Sequence, residues 1–425
     1  FAEFLMFDFM PVEIYDPDLE DYETSALLRE ITRGFSGAVL VLIEFIRELL
    51  IGGRKTIVFF TSWDFVSENP WAVWPALPWT VVTAGAVILG FALKGRGLAL
   101  LAGVALTYIS VFGQWEPAMQ TLSFVLVAAP LSILLGLCLG VLAFKSRAVE
   151  SALMPLLNVA QTMPHFSYLV PVTVFFGVGD HAGAIATVIF ATPPMIRLTL
   201  LGMKKVPLEV VEAGMMSGCT NRQTLFRVIV PTARRDILIG VNQVIMQCLA
   251  MAVIASFIGA KGLGYNLLLA LNGLRIGLAL ELGICIVLIA VVLDKLSLAW
   301  ANKQTDYFAD LSFGQRHVYL LVFLAVFVAC VVLAVIGKLI FGEGINYLYI
   351  IPHSKGITTE WFWQAGVDRM VENWYVGLQG FNRGLIVNVL QPMKKAYLAM
   401  PVSATFLLVM GVGYIVGGIR SALTV

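Results

Sequence analysis

Charge is scarce in this chain. Only 13% of its 425 residues are Asp, Glu, Lys or Arg, against 59% hydrophobic, too apolar a composition for an ordinary soluble domain. The few charges almost cancel, at a formal +1, which gives no bulk attraction to nucleic acid. Nothing here resembles a removable leader: the opening FAEFLMFDFMPVEIYDPDLEDYE has no basic start and carries an acidic run. It also lacks an initiator Met, so the natural N-terminus is expected upstream. Cys138, Cys219, Cys248, Cys285 and Cys330 show no metal-ligand spacing and are read as small residues without a chemical role. No G-x-x-x-x-G-K-[ST] phosphate loop occurs, since Gly52-Gly53-Arg54-Lys55-Thr56 has the wrong spacing, and HExxH and GxSxG are absent. The chain is therefore not expected to hydrolyse ATP, to hold a metal or cofactor, or to carry a catalytic residue.

What is present is a series of apolar segments, roughly 71–93, 98–112, 119–144, 155–178, 182–201, 237–258, 276–298 and 318–340, with a ninth over 400–418. The run from Val318 to Ile336 is uncharged and, as a helix, crosses about 30 Å of hydrocarbon. The fold class is an all-α, polytopic membrane helical bundle. Pro164, Pro171, Gly177, Pro193 and Pro194 predict bent or broken helices over 155–201, tolerated only inside a bundle or beside a water-filled cavity.

Lys and Arg set the orientation. Lys204, Lys205, Arg222, Arg227, Arg234 and Arg235 place the 203–236 loop in the cytoplasm, together with the turns carrying Lys94/Arg96 and Lys145/Arg147 and the stretch with Lys303 and Arg316. Gln114–Pro117 and Gly179–His181 fall outside without Lys or Arg, and the external loop with Lys261 and Arg275 is the exception.

The 206–235 stretch, VPLEVVEAGMMSGCTNRQTLFRVIVPTARR, is polar within this apolar chain. Glu212-Ala213-Gly214 is followed by Gly218 and, after nine further residues, by Val228-Ile229-Val230-Pro231. Gly218 suits a tight turn ending a short helix. Thr220-Asn221-Arg222-Gln223 suits a cap and first helical turn, and Pro231 is expected to end that second helix. The spacing resembles the EAA loop of binding-protein-dependent ABC importer permeases, with Gly214 and Val230 where the family prefers Ala and Leu. Gln161–Pro171, Phe175–Gly179, Phe190–Thr199 and Ile258–Gly264 extend the likeness, which covers about residues 75–300 and is to the glycine betaine/proline/choline permeases. The resemblance implies a type I ABC importer transmembrane domain in a bacterial inner membrane, with extra external interfacial helices here. It implies that Glu212, Ala213, Gly214, Gly218, Arg222 and Pro231 dock onto an ATPase that binds ATP and Mg. It implies as partners two such ATP-binding cassette subunits, an external binding protein and a second permease domain, besides membrane lipid; no nucleic acid is expected.

Within that frame, residues 1–70 are external. Leu40–Leu50 is an amphipathic interfacial helix, and Trp63, Trp71, Trp74 and Trp79 are an aromatic anchor. Residues 71–310 form the permease domain of about seven spans, 311–341 a linker span, and 342–399 a second external, Trp-rich segment. Pro78 through Gly95 aligns without gaps with Pro401 through Gly418, so 400–425 is expected to open a second permease copy.

The expected solute is a compatible solute or methylated amine. Candidate path residues are Gln161, Thr162, His165, Phe166, Tyr168, Phe175, Phe176, Asn242, Gln243 and Gln247, because aromatic faces attract a trimethylammonium group. Each alone also fits helix packing. Glu281 within a span needs a partner and is read as a structural hydrogen-bonder rather than a proton relay. Arg197 is expected to reach the cytoplasmic interface, and Gly136-xxx-Gly140 carries little weight. An importer of amino acids or another small metabolite, an ion-coupled secondary transporter and a membrane scaffold remain the alternatives.

Overall fold

The computed structural model describes residues 13–16, 21–24, 26–51, 78–303, 318–341 and 358–424. Expectations placed on Trp63, Trp71, Trp74, Arg316 and the 342–357 stretch lie outside those residues. The chain divides into two units, 1–361 and 362–425.

In the first unit a short antiparallel hairpin, β1 (Glu13–Asp16) and β2 (Asp21–Thr24), precedes helices throughout. Hydrocarbon leaves a backbone no water to bond, so apolar chain closes its hydrogen bonds within helices. These are α1 (Ala26–Ile51), α2 (Trp79–Lys94), α3 (Arg96–Val111), α4 (Trp115–Lys145), α5 (Arg147–Thr162), α6 (Leu169–Phe176) and α7 (Asp180–Lys204). Then follow α8 (Leu208–Met216), α9 (Arg234–Ile254), α10 (Leu263–Asn272), α11 (Ile276–Asn302) and α12 (Val318–Phe341).

Over residues 78–303, α4, α7, α9 with its 3-10 extension to Ile258, and α11 are the helices long and apolar enough to cross a membrane singly. The sequence predicted more single spans over 71–310. The difference lies where glycine and proline interrupt the chain. α2 and α3 have 16 residues each, about 24 Å of helix, and meet at Gly95 with φ +87°, a conformation that side chains disfavour. The expected break over 155–178 is present: α5, a 3-10 turn over His165–Tyr168, and α6 replace one span.

α7 is the hub, packed between α4 and α9. Small residues let its neighbours approach: Ala182, Gly183, Ala184, Ala186 and Ala191 are all buried. Gly136 and Gly140 matter more than their common spacing suggests. A Cβ on Gly140 would lie 2.7 Å from Thr199 Cβ, and one on Gly136 would run into Met195. Pro193 and Pro194 do not break α7, which runs unbroken through both. Both prolines are buried, and neighbouring helices sustain such positions in membrane proteins.

The amphipathic 40–50 stretch is the end of the longer α1, 26 residues, whose buried Val39, Ile43 and Leu50 meet α4 and α7. Arg47 explains how a charged helix docks there, because it forms an ion pair with Asp180 at the start of α7. Glu281 of α11 is fully buried and accepts four hydrogen bonds: from Gln114 Nε2 at 3.1 Å, Thr358 Oγ1 at 3.1 Å, Thr359 N at 2.8 Å and Thr359 Oγ1 at 3.0 Å. It therefore ties the starts of α4 and α11 to the 358–359 segment, the structural role read from the sequence. Arg275, the exception to the charge pattern, donates to both Glu360 carboxylate oxygens, at 3.0 and 2.7 Å. Those bonds and the carboxylate charge hold its guanidinium above the ordinary range.

The second unit contains α13 (Glu360–Leu385) from its third residue, α14 (Gln391–Ala399) and α15 (Val402–Thr424). α15 follows Pro401 as α2 follows Pro78, and Gly418 (φ +73°, ψ −166°) adopts the backbone conformation of the aligned Gly95 (φ +87°, ψ −158°).

Candidate functional site

No residue of α8 is buried, and its apolar Leu208 and Met216 expose 66% and 87% of their surface. A nine-residue helix is too short to hold itself in water, so local chemistry fixes it. Pro207 sets its entry and Glu209 lies in the first turn, where a negative charge complements the helix dipole. At the far end Cys219 N donates to Gly214 O at 3.2 Å and Gly218 N to Met215 O at 2.9 Å, the paired bonds of a Schellman cap. Gly218 has φ +82° with open space where a Cβ would point; its requirement is conformational only. A Cβ on Gly214 would lie 3.0 Å from Val228 Cγ2, which gives a physical reason for Gly here: the helix seats closely on the following stretch.

That stretch opens with a capping box. Thr220 Oγ1 accepts from Gln223 N at 3.4 Å and Gln223 Oε1 accepts from Thr220 N at 2.9 Å, an arrangement contributing about 1 kcal/mol. Pro231 does not end the helix, contrary to the sequence expectation. The backbone widens into a π-turn over Thr224–Ile229 and continues helically over Val230–Thr232 before turning at Ala233. The wider turn makes room for a residue that has no N–H and whose ring would clash with a regular turn. Glu212, Ala213, Gly218, Arg222 and Pro231 all stand exposed on this segment, with Gly214 partly covered.

Near the Gly179 turn, α5 and its 3-10 turn expose Gln161, Thr162, His165 and Phe166. α9 exposes Ile239, Gln243, Met246 and Ala250, and the stripe continues to Phe257 on the Ala255–Ile258 turn. The two stripes touch, with the Phe166 and Phe257 rings edge to face, centroids 5.3 Å apart at 78°. Exposed Gln and His within spanning segments are costly in lipid, so this face suits water or protein. Phe257 escaped the sequence analysis, its only signal being helical spacing from Gln243 through Met246 and Ala250.

Other expected path residues serve packing. Tyr168 is buried, its ring 5.5 Å from Phe190 and its hydroxyl donating to Ala160 O. Asn242 donates to Asp294 Oδ1 at 3.2 Å and accepts from Ser297, clamping α9 to α11. Phe175 and Phe176 are half-buried, with Phe176 6.3 Å from Phe35 of α1. Gln247 is half-buried, and its Oε1 has no protein partner among the described residues. Arg197 is bonded to Asn158 of α5.

The Ile258–Gly264 motif is a frame. Gly179 N donates to Ile258 O at 2.8 Å, Asp180 Oδ1 accepts from Lys261 N at 2.7 Å, and Leu263 N donates to Thr121 Oγ1 at 2.9 Å. Gly262 has φ +139°, and a Cβ there would lie 2.5 Å from Thr121 Oγ1. His181 Nε2 donates to Phe176 O at 2.8 Å, closing the end of α6.

Comparison with known proteins agrees with this geometry. Residues 128–342 match the family described as binding-protein-dependent transport system inner membrane component. The trimethylamine N-oxide transport system permease protein TmoV of Pelagibacter ubique is 59% identical over 99% of this chain and 59% of its own length. Its counterpart in Ruegeria pomeroyi is 38% identical over 88% of this chain and 56% of its own length. The chain thus spans less than two thirds of these two relatives. The glycine betaine/carnitine transport permease protein GbuB of Listeria monocytogenes is 39% identical over 60% of this chain and 87% of its own length. The chain belongs to the family of binding-protein-dependent transport system inner membrane components.

Proposed function

We propose that this chain is the membrane-spanning part of an ATP-driven importer for a methylated amine or betaine, with trimethylamine N-oxide the first solute to test. α8 docks in a cleft of a separate ATP-binding cassette subunit, two of which serve two permease domains. ATP-driven closure pulls the 206–235 loops together and turns the cavity toward an external binding protein, and hydrolysis resets it. The single observation that carries this reading is α8 itself: a helix with no buried residue, displaying Leu208 and Met216 and fixed at its C-terminal end by a Schellman cap. An exposed apolar surface on a rigid support is what a partner's cleft requires. The names of the relatives supply the solute class.

In this reading α8 faces the cytoplasm and the Gly179 turn the outside. The shared conformation of Gly95 and Gly418 favours 400–425 as the opening of a second permease copy. An ion-coupled carrier would want an acid open to the path, and Glu281 is instead fully buried and engaged by four donors. The test is uptake of labelled trimethylamine N-oxide into vesicles holding the full protein with its ATPase and binding protein. Uptake that needs ATP supports the proposal; uptake on an ion gradient without the ATPase overturns it.

A further inference from the structure

We propose that Phe166 and Phe257 form a recognition face for the methylated nitrogen of the solute, at the end of the path away from α8. The proposal rests on the importer reading above and deepens it. Both rings are large and apolar, yet expose 53% and 58% of their surface, and each sits on a 3-10 interruption of a helix rather than in a regular span. An edge-to-face pair keeps the electron-rich face of at least one ring available.

The surroundings suit a methylated nitrogen. A quaternary nitrogen, or an amine oxide's nitrogen, has no N–H to donate, so carbonyls and carboxylates cannot hydrogen-bond it, whereas aromatic faces attract its spread positive charge. Neither 156–170 nor 239–258 contains an Asp or Glu. The acids of α5 and α9 lie at the α8 end and face basic groups: Glu150 bonds to Lys204, and Asp236 is 3.8 Å from Lys205. The rings are thus the charge-complementary groups on these stripes. Gln161 and His165, exposed beside Phe166, offer donors for the oxygen that such solutes carry, whereas the Thr162 hydroxyl already donates to Val159 O at 2.9 Å.

The frame keeps the pair in place. Ile258 is held by Gly179 N at 2.8 Å, while Tyr168 pins the His165–Tyr168 turn through Ala160 O and the Phe190 ring. Phe190 also stacks against His165 at 4.4 Å. A face of one or two rings binds weakly enough for the solute to leave, as transport demands.

The test uses the complete transporter in vesicles, with ATP and binding protein, and labelled trimethylamine N-oxide. Phe257→Leu and Phe166→Leu should each lower the uptake rate roughly 2- to 30-fold, and Phe257→Trp should retain it. Mono-, di- and trifluorophenylalanine at position 257 or 166 weaken the ring's face with little change of size. The proposal requires uptake to fall stepwise along at least one series, with complex assembly on size exclusion unchanged. Fluorinated rings that transport like phenylalanine at both positions overturn it, even if leucine is inactive, because packing alone would then account for the rings. Wild-type protein that moves no methylated amine sinks the importer reading itself and takes this assignment with it.

Discussion

Two loops of the first unit, 206–235 and 255–264, each turn on a positive-φ glycine, Gly218 and Gly262, and these two stand in opposite surroundings. Gly218 sits in open space and is required only for its positive φ, so that α8 is displayed. Gly262 and Gly264 are required for room: their Cβ atoms would meet Thr121 and the Val253 backbone, at 2.5 and 2.8 Å. One loop projects a surface outward and closes its own ends with a Schellman cap and a capping box. The other is drawn in and locked onto α4 and α7. The comparison separates two kinds of damage, a lost display of α8 with intact packing and lost packing itself.

The sharpest way to break that contrast is Gly262→Val, which adds overpacking to backbone strain and should cost about 3 kcal/mol or more, read as a fall in thermal midpoint and in yield of folded protein in detergent. Glu281→Ala should follow, leaving Gln114, Thr358 and Thr359 without their acceptor at about 1–3 kcal/mol, by the same assay. Gly218→Val should strain its own turn by about 1–2 kcal/mol and leave the global midpoint unchanged, while abolishing ATP-driven uptake. Thr220→Ala removes one side of the capping box, costs about 1 kcal/mol locally, and should loosen amide-exchange protection over 221–225 only. Arg275→Ala breaks an exposed ion pair with Glu360 and should move the midpoint least, by about 0–1 kcal/mol. Equal effects of the Gly262 and Gly218 variants on the midpoint would erase the distinction.

The 206–235 loop was legible because its information is local. Gly218, Thr220 and Gln223 act on backbone groups within a few residues, so their spacing alone foretells the turn and the box. Pro231 was misread because the compensating π-turn precedes it and has no sequence mark. The bundle was legible from its apolar runs, and the turn between α2 and α3 from Lys94 and Arg96; that each of these two helices has only 16 residues was not. The proposed path was the least legible. Gln243 and Asn242 are adjacent and chemically alike, yet one is exposed and the other clamps α11 through Asp294 and Ser297. Only the rotation of α9 against its neighbours decides between them. For the same reason Phe257 carried no signal beyond its helical spacing, and Gly136 and Gly140 looked like any small pair until Met195 and Thr199 filled the space opposite.

The central claim is that α8 transmits force from a nucleotide-hydrolysing partner, and a photoreactive benzoylphenylalanine at Met216 tests it most directly. In the assembled transporter, irradiation should join this position to the ATP-binding subunit, with a yield that changes between ATP-bound and nucleotide-free states. A position 216 that labels only lipid or detergent, in a complex whose uptake still requires ATP, would contradict the claim.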